Sequence, residues 1–209
     1  MRCARLAQFL AGVRAQHPTY WARPVPSFGA AAPRILIVGL APGMHGANRT
    51  GRPFTGDFAG ILLYETLYEL GLASARTSQA AADGLMLVNA RITNAVKCLP
   101  PDNKPLPIEV RTCNSYLQNE LAALPSVRVI VALGRIAHDA VLLACGLARA
   151  EFAFAHGREH ALNEARQLLD SYHCSRYNTQ TRRLSAAMFK AVIARACALA
   201  GLEGNGAKI

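Results

Sequence analysis

Acidic residues are scarce in this chain, and several common signatures are missing. Asp and Glu total 13 against 23 Lys and Arg, a net charge of +10 with a pI near 9.8. That imbalance suggests a polyanionic partner. An Arg-rich compositional bias without such a partner is the plainer alternative. No run approaches the ~18 consecutive apolar residues of a membrane span. The apolar N-terminal patch is interrupted by Arg14 and His17, unlike a signal peptide. Its Leu6, Phe9, Leu10, Val13 spacing predicts an amphipathic helix over residues 3–15. Repeats, low-complexity tracts and long linkers are absent, and 209 residues suffice for one domain, expected over 1–209. Neither G-x-G-x-x-G nor G-x-x-x-x-G-K-[ST] occurs, so neither a dinucleotide site nor a P-loop is indicated. A cytoplasmic chain is expected, its six cysteines reduced or metal-bound rather than paired as disulfides.

What the chain does have is a polar, glycine-rich loop, Gly39 to Asp57, reading GLAPGMHGANRTGRPFTGD. It follows the apolar run Ile35 to Val38 and precedes a helical pattern from Phe58 to Leu70. Glycines let backbone approach a ligand closely. His45, Asn48, Arg49, Arg52 and Asp57 are more polar groups than a structural turn needs. Further strands are predicted over 85–93, 127–133 and 167–172, and helices over 107–123, 135–145 and 181–200. Strands alternating with helices predict an α/β three-layer sandwich around a four-stranded parallel sheet. Ligands of such sheets bind beyond the carboxyl ends of the strands. The glycine loop, Thr93-Asn94, Gly134-Arg135 and His173 to Thr181 all follow predicted strands, so one active site is expected there.

YWARPVPSFG, GLAPGMHGANRTGRPFTGD, TNAVKCLPPDNKP, VALGRIAHDA and SYHCSRYNTQT occur in this order. Together they resemble the type b (family 5) uracil-DNA glycosylases, relatives of the type a enzymes, from Cys3 to about Gly201. The resemblance implies a monofunctional glycosylase of base excision repair acting as a monomer on DNA that contains deaminated bases. It would flip out uracil, and hypoxanthine or xanthine, and hydrolyse the N-glycosidic bond. No motif carries a lysine placed for catalysis, so water is the expected nucleophile. The apolar Leu40-Ala41 pair motivates an alternative, a non-catalytic DNA-binding or redox-sensing Fe–S protein of the same fold.

The motifs imply residue roles. Phe54 would stack on the flipped base; read alone, it is an ordinary core Phe. Asn94 would read the base edge; a strand-end cap is its plain alternative. His173 would donate to a base carbonyl as charge develops on the leaving group, or else is a satisfied core histidine. Asp57 and Asn103 are the implied groups for water and the developing sugar cation. Each also has a local reading, Asp57 as a helix N-cap and Asn103 as an Asx turn. Gly39, Ala41, Ser175, Arg176 and Asn178 complete the expected substrate contacts. Arg49, Arg52, Arg135, Arg176, Arg182 and Arg183 are expected around the mouth, and Tyr177 or Arg176 as the wedge that fills the vacated stack.

The same resemblance implies a structural [4Fe–4S] cluster on four cysteines. Cys98 and Cys113 match the downstream pair, and Cys3 matches the second member of an N-terminal C-x₂-C. The first member would fall upstream of Met1, from a start site set too far downstream. A non-protein fourth ligand or a degenerate site are the alternatives. Cys174, beside His173, is not expected to ligate.

Overall fold

Short, wholly apolar runs build the centre of the molecule. A computed structural model describes residues 3–202, and the outer ends of the expected 1–209 domain lie outside them. Strands β1 (Phe28–Gly29), β2 (Ile35–Gly39), β3 (Ala90–Asn94), β4 (Val129–Leu133), β5 (Glu159–Ala161) and β6 (Gln167–Ser171) form one sheet, ordered β1-β3-β2-β4-β6-β5. The inner four are parallel, as expected. Antiparallel β1 and β5 extend the two edges. These edge strands escape sequence reading because two or three residues, none of them buried, are too few to establish a pattern.

Both faces of the sheet are covered. β2 and β4 are buried at every position, the pattern of a parallel sheet between two helical layers. Ile35, Ile37, Val129 and Val131 pack on one side against α3 (Phe58–Glu69) and α7 (Ala186–Leu199). Leu36, Val38, Ile130 and Ala132 pack on the other against α4 (Pro107–Ala123) and α5 (Arg135–Ala144). Helix α1 (Ala4–Gln16) builds a third core, in which Leu6, Leu10 and Val13 meet Cys98, Leu99 and Cys113.

Two predicted elements are shorter than expected. The strand expected over 85–93 begins at Ala90, because Asn89 takes a positive φ of 55° and Leu87 instead bridges Ala73. The helix expected over 181–200 begins at Ala186, where Ser185 accepts from the Met188 N–H. Ahead of it lies a separate short helix, α6 (Arg176–Gln180). Helix α2 (Ala47–Thr50) sits inside the glycine-rich loop. Among the described residues no helix is long and apolar enough to cross a membrane.

Candidate active site

β2 lies between β3 and β4, so the chain leaves it first one way and then the other. A crevice opens beyond the carboxyl ends of strands at such a reversal. It is a cavity of about 610 Å³, walled by Leu40 and Gly43 after β2, Asn94 at the end of β3, Gly134 after β4 and His173 after β6. Every residue proposed from sequence for catalysis lines it: Asp57, Asn103 and His173. So do Ala41, Phe54, Asn94, Ser175, Arg176 and Asn178.

Gly39 lies behind this wall, and its missing side chain is the reason the site can form. A Cβ there would strike Asn94 Oδ1 and come within 2.6 Å of the Phe54 ring. Phe54 is buried with a φ of 53°, a strained backbone for a bulky residue. Its neighbours hold it there. The Tyr64 hydroxyl donates to the Pro53 carbonyl at 2.9 Å, and Gly60 leaves room for the Phe54 carbonyl. The Phe54 and His173 rings lie nearly parallel, centroids 5.8 Å apart.

Asp57 serves two directions at once. Its Oδ1 accepts from the Gly60 N–H at 2.9 Å and caps α3, the local alternative that its sequence offered. Its Oδ2 lies against Gly43 and Gly46, where a Cβ on Gly46 would sit 2.5 Å from it. Burial raises the Asp57 carboxyl above its ordinary value, against the backbone N–H groups of Gly60 and Ala59.

Two polar atoms at the cavity are buried without a partner among the described residues: Asn94 Oδ1 and His173 Nδ1. Buried polar atoms are almost always paired. At a cavity wall, an orphan acceptor is open to the donor of a ligand. Burial pushes His173 down to about 4, so its imidazole is neutral near pH 7.

Other residues have supporting tasks. Ser175 Oγ accepts from the Asn178 N–H at 3.4 Å and caps α6. Asn178 Nδ2 donates to the His173 carbonyl at 2.8 Å, bracing that loop. Asn103 follows Asp102, both at positive φ (56° and 54°), a conformation that short amide and acid side chains tolerate. Arg135, Arg176 and Arg183 line the mouth, as expected. Arg49, Arg52 and Arg182 are outside the lining. Arg52 is a clear correction. It is buried, paired to Asp83 at 2.5 Å and to Thr55 Oγ1 at 3.0 Å, and it anchors the Phe54 turn. Sequence reading had no means to see Asp83 come back to it. Phe58 was also missed: it lines the cavity beneath the Arg176 guanidinium, 5.0 Å from its ring. Its place directly after the capping Asp57 was the available signal.

A second cavity, of about 470 Å³, gathers three cysteines: Cys3, Cys98 and Cys113. Cys3 precedes α1, Cys98 follows β3 and Cys113 lies on α4. The Lys97 N–H donates to Cys113 Sγ at 3.3 Å. Burial raises all three thiols, Cys98 to about 11, and neighbouring sulfurs add to the rise at Cys98 and Cys113. Coordination to iron would remove that penalty, since the thiolate is the ligand form. Among the described residues, the one group of ligand atoms all within 4.8 Å of each other is His138, His160 and Asp170. The three cysteines line one cavity, where a cluster could take them as ligands. The donor set fits with three ligands. Cys174 is buried against the α7 side, away from them.

An aromatic ring, an unpaired amide oxygen and a neutral imidazole around one cavity make a site suited to a flat heterocycle. The sequence profile of the Uracil DNA glycosylase superfamily matches residues 26–197. The type-5 uracil-DNA glycosylase of Thermus thermophilus is 53% identical over 183 residues, covering 88% of this chain and 83% of that one. The type-5 enzyme of Pyrobaculum aerophilum is 42% identical over 205 residues, covering 96% and 88%. That of Mycobacterium bovis is 44% identical, covering 88% and 69%. The chain belongs to the uracil-DNA glycosylase superfamily, and within it to the type-5 enzymes.

Proposed function

We propose that this chain excises uracil from DNA by hydrolysing the N-glycosidic bond with water, leaving an abasic site. The orphaned Asn94 Oδ1, set beside Phe54 in the same cavity, is the observation that carries the reading. A flipped uracil would lie on the Phe54 ring. Its ring N–H would supply the donor that Asn94 Oδ1 lacks. Neutral His173 would donate its ring N–H toward a base carbonyl, where negative charge grows as the bond breaks. A neutral donor suits this task, because it stabilises the anion without needing to be charged in the ground state. Asp57, with Oδ1 held by the helix cap, presents Oδ2 toward the sugar. There it would stabilise the developing cation and orient the attacking water, together with Asn103. Hypoxanthine and xanthine are further candidate bases. Arg135, Arg176 and Arg183 would hold phosphates at the rim. Tyr177, 71% exposed, is the candidate wedge.

Cys3, Cys98 and Cys113 would hold a [4Fe–4S] cluster as three of its ligands. Bound there, the cluster supplies a covalent tie between α1, the segment after β3 and α4. The Arg5–Glu109 pair, 2.7 Å long, already joins the same two helices.

The test uses end-labelled duplexes bearing one uracil, hypoxanthine or xanthine. Breaks that appear only after hot alkali support base removal without lyase activity. No breaks from folded protein with its iron bound would overturn the reading.

A further inference from the structure

No acidic residue occurs before Asp57, so the first quarter of the chain is purely cationic. Two of its arginines are accounted for inside the fold: Arg5 pairs with Glu109 and Arg52 with Asp83. Arg23 and Arg49 are exposed, and among the described residues neither is in an ion pair. Between them lies Trp21, the chain's single tryptophan, 41% exposed. The Arg23 guanidinium sits 5.7 Å over its ring.

This tryptophan is rigidly mounted. Its backbone N–H donates to the Arg49 carbonyl at 3.0 Å, and that of Ala22 to the Asn48 carbonyl at 3.0 Å. Its indole N–H donates to the Pro24 carbonyl at 3.1 Å. One side of the ring rests on Gly51, where a Cβ would come within 2.9 Å. The segment is thus tied to the far end of α2, whose Ala47 lines the active-site cavity. Close by, Tyr20 stacks on His17 and its hydroxyl meets His45 Nδ1 at 2.9 Å. The aromatic surface is therefore joined to the cavity through α2, and carries arginines outside any ion pair among the described residues.

We propose that Trp21 is a stacking platform for an unpaired nucleobase of the DNA strand beyond the flipped nucleotide, with Arg23 and Arg49 on its phosphates. An exposed indole fixed by its backbone, whose open face an arginine leaves to meet a phosphate as a base stacks there, is chemistry that binds single-stranded nucleic acid. The proposal rests on the glycosylase reading and extends the contact surface past the cavity.

The single tryptophan makes the test direct. Holoprotein is titrated with uracil-containing single strands, long or trimmed to a few nucleotides, while Trp emission and DNA anisotropy are read together. Emission should be quenched in step with binding by the long strand. Trp21→Ala should weaken that strand about 5- to 150-fold, the range for one lost base stack. It should leave the trimmed strand unchanged, and Trp21→Phe should restore most of the loss. Arg23→Gln and Arg49→Gln should each flatten the salt dependence by about 0.7 in log–log slope. Long DNA that binds and loses its uracil with Trp emission unmoved overturns the platform alone. Equal weakening of both strand lengths by Trp21→Ala also overturns it. Failure to excise uracil from either strand sinks the glycosylase reading instead, and the platform with it.

Discussion

Two enclosed histidines near the end of β6 stand in opposite states. His138, on α5, has both ring nitrogens engaged, Nδ1 with Asp170 at 2.7 Å and Nε2 with the Phe152 carbonyl at 2.9 Å. Asp170 is equally occupied, taking His160 Nε2 at 3.1 Å and the Ala155 N–H at 3.3 Å as well. His173, three residues beyond Asp170, leaves Nδ1 without a partner. The carboxylates divide the same way: Asp170 is ringed by donors, whereas Asp57, in the cavity wall, commits one oxygen to a cap and rests the other against Gly43 and Gly46. The His138–Asp170 cluster is saturated and ties α5 to β6, whereas His173 at the cavity is not.

The largest test of that contrast sets Asp57→Asn against Asp170→Asn. Asn caps a helix about as well as Asp, so Asp57→Asn should keep stability within about 0.5 kcal/mol. It should nonetheless lower single-turnover excision by about 10²- to 10⁴-fold. Asp170→Asn leaves His138 buried without its counter-charge and should destabilise the protein by about 3–5 kcal/mol. Excision per folded molecule should stay near normal. Rates and urea midpoints measured on both variants decide; a selective rate loss in Asp170→Asn would break the division.

The two histidines should also give stability opposite slopes with pH. Burial pushes His173 down to about 4, so the unfolded chain binds the extra proton between about pH 6.5 and 4. Stability is lost as the pH falls through that window. His138 runs the other way. Burial lowers it, but the hydrogen bond and charge of Asp170 outweigh that and leave it raised. Its contribution is full below about pH 6.5 and fades as the pH rises through the folded value. His173→Gln should flatten the acid limb of a urea-midpoint profile, and His138→Gln the alkaline limb. Unchanged limbs would mean the protonation states assigned here are wrong.

Much of this site was legible in the sequence because its parts lie in separate motifs, each directly after a strand. Phe54, Asp57, Asn94, Asn103 and His173 reach one cavity for that reason. Sequence could not say whether Asp57 was a cap or a cavity group, since the answer depends on which oxygen faces which backbone. The removal of Arg52 from the mouth was also invisible, because Asp83 and Ser78 meet it only in the folded chain. The His138–Asp170–His160 cluster joins α5, β6 and β5, and β5 itself was too short to be seen.

Gly39→Ala tests the contrast without touching any polar group. A methyl there displaces the Asn94 amide and the Phe54 ring together. Misplacement on the order of 1 Å typically costs about 10²-fold in rate. The loss should appear as weaker excision with a smaller fall in thermal midpoint. If the rate survives, Asn94 and Phe54 are less tightly placed than the packing indicates.

The smallest effect concerns the loop that carries His173. Ser175 caps a helix of five residues, and Asn178 in that helix holds the His173 carbonyl. Ser175→Ala removes the cap and should cost about 1 kcal/mol, while Ser175→Gly should cost only a few tenths. The drop in excision should follow the same order, because the hydroxyl acts here through the backbone that positions His173. A Ser175→Gly variant that folds well yet excises as poorly as the Ala variant would place the hydroxyl on the substrate. Ser175 would then join Asn94 and His173 on the incomplete side of the molecule.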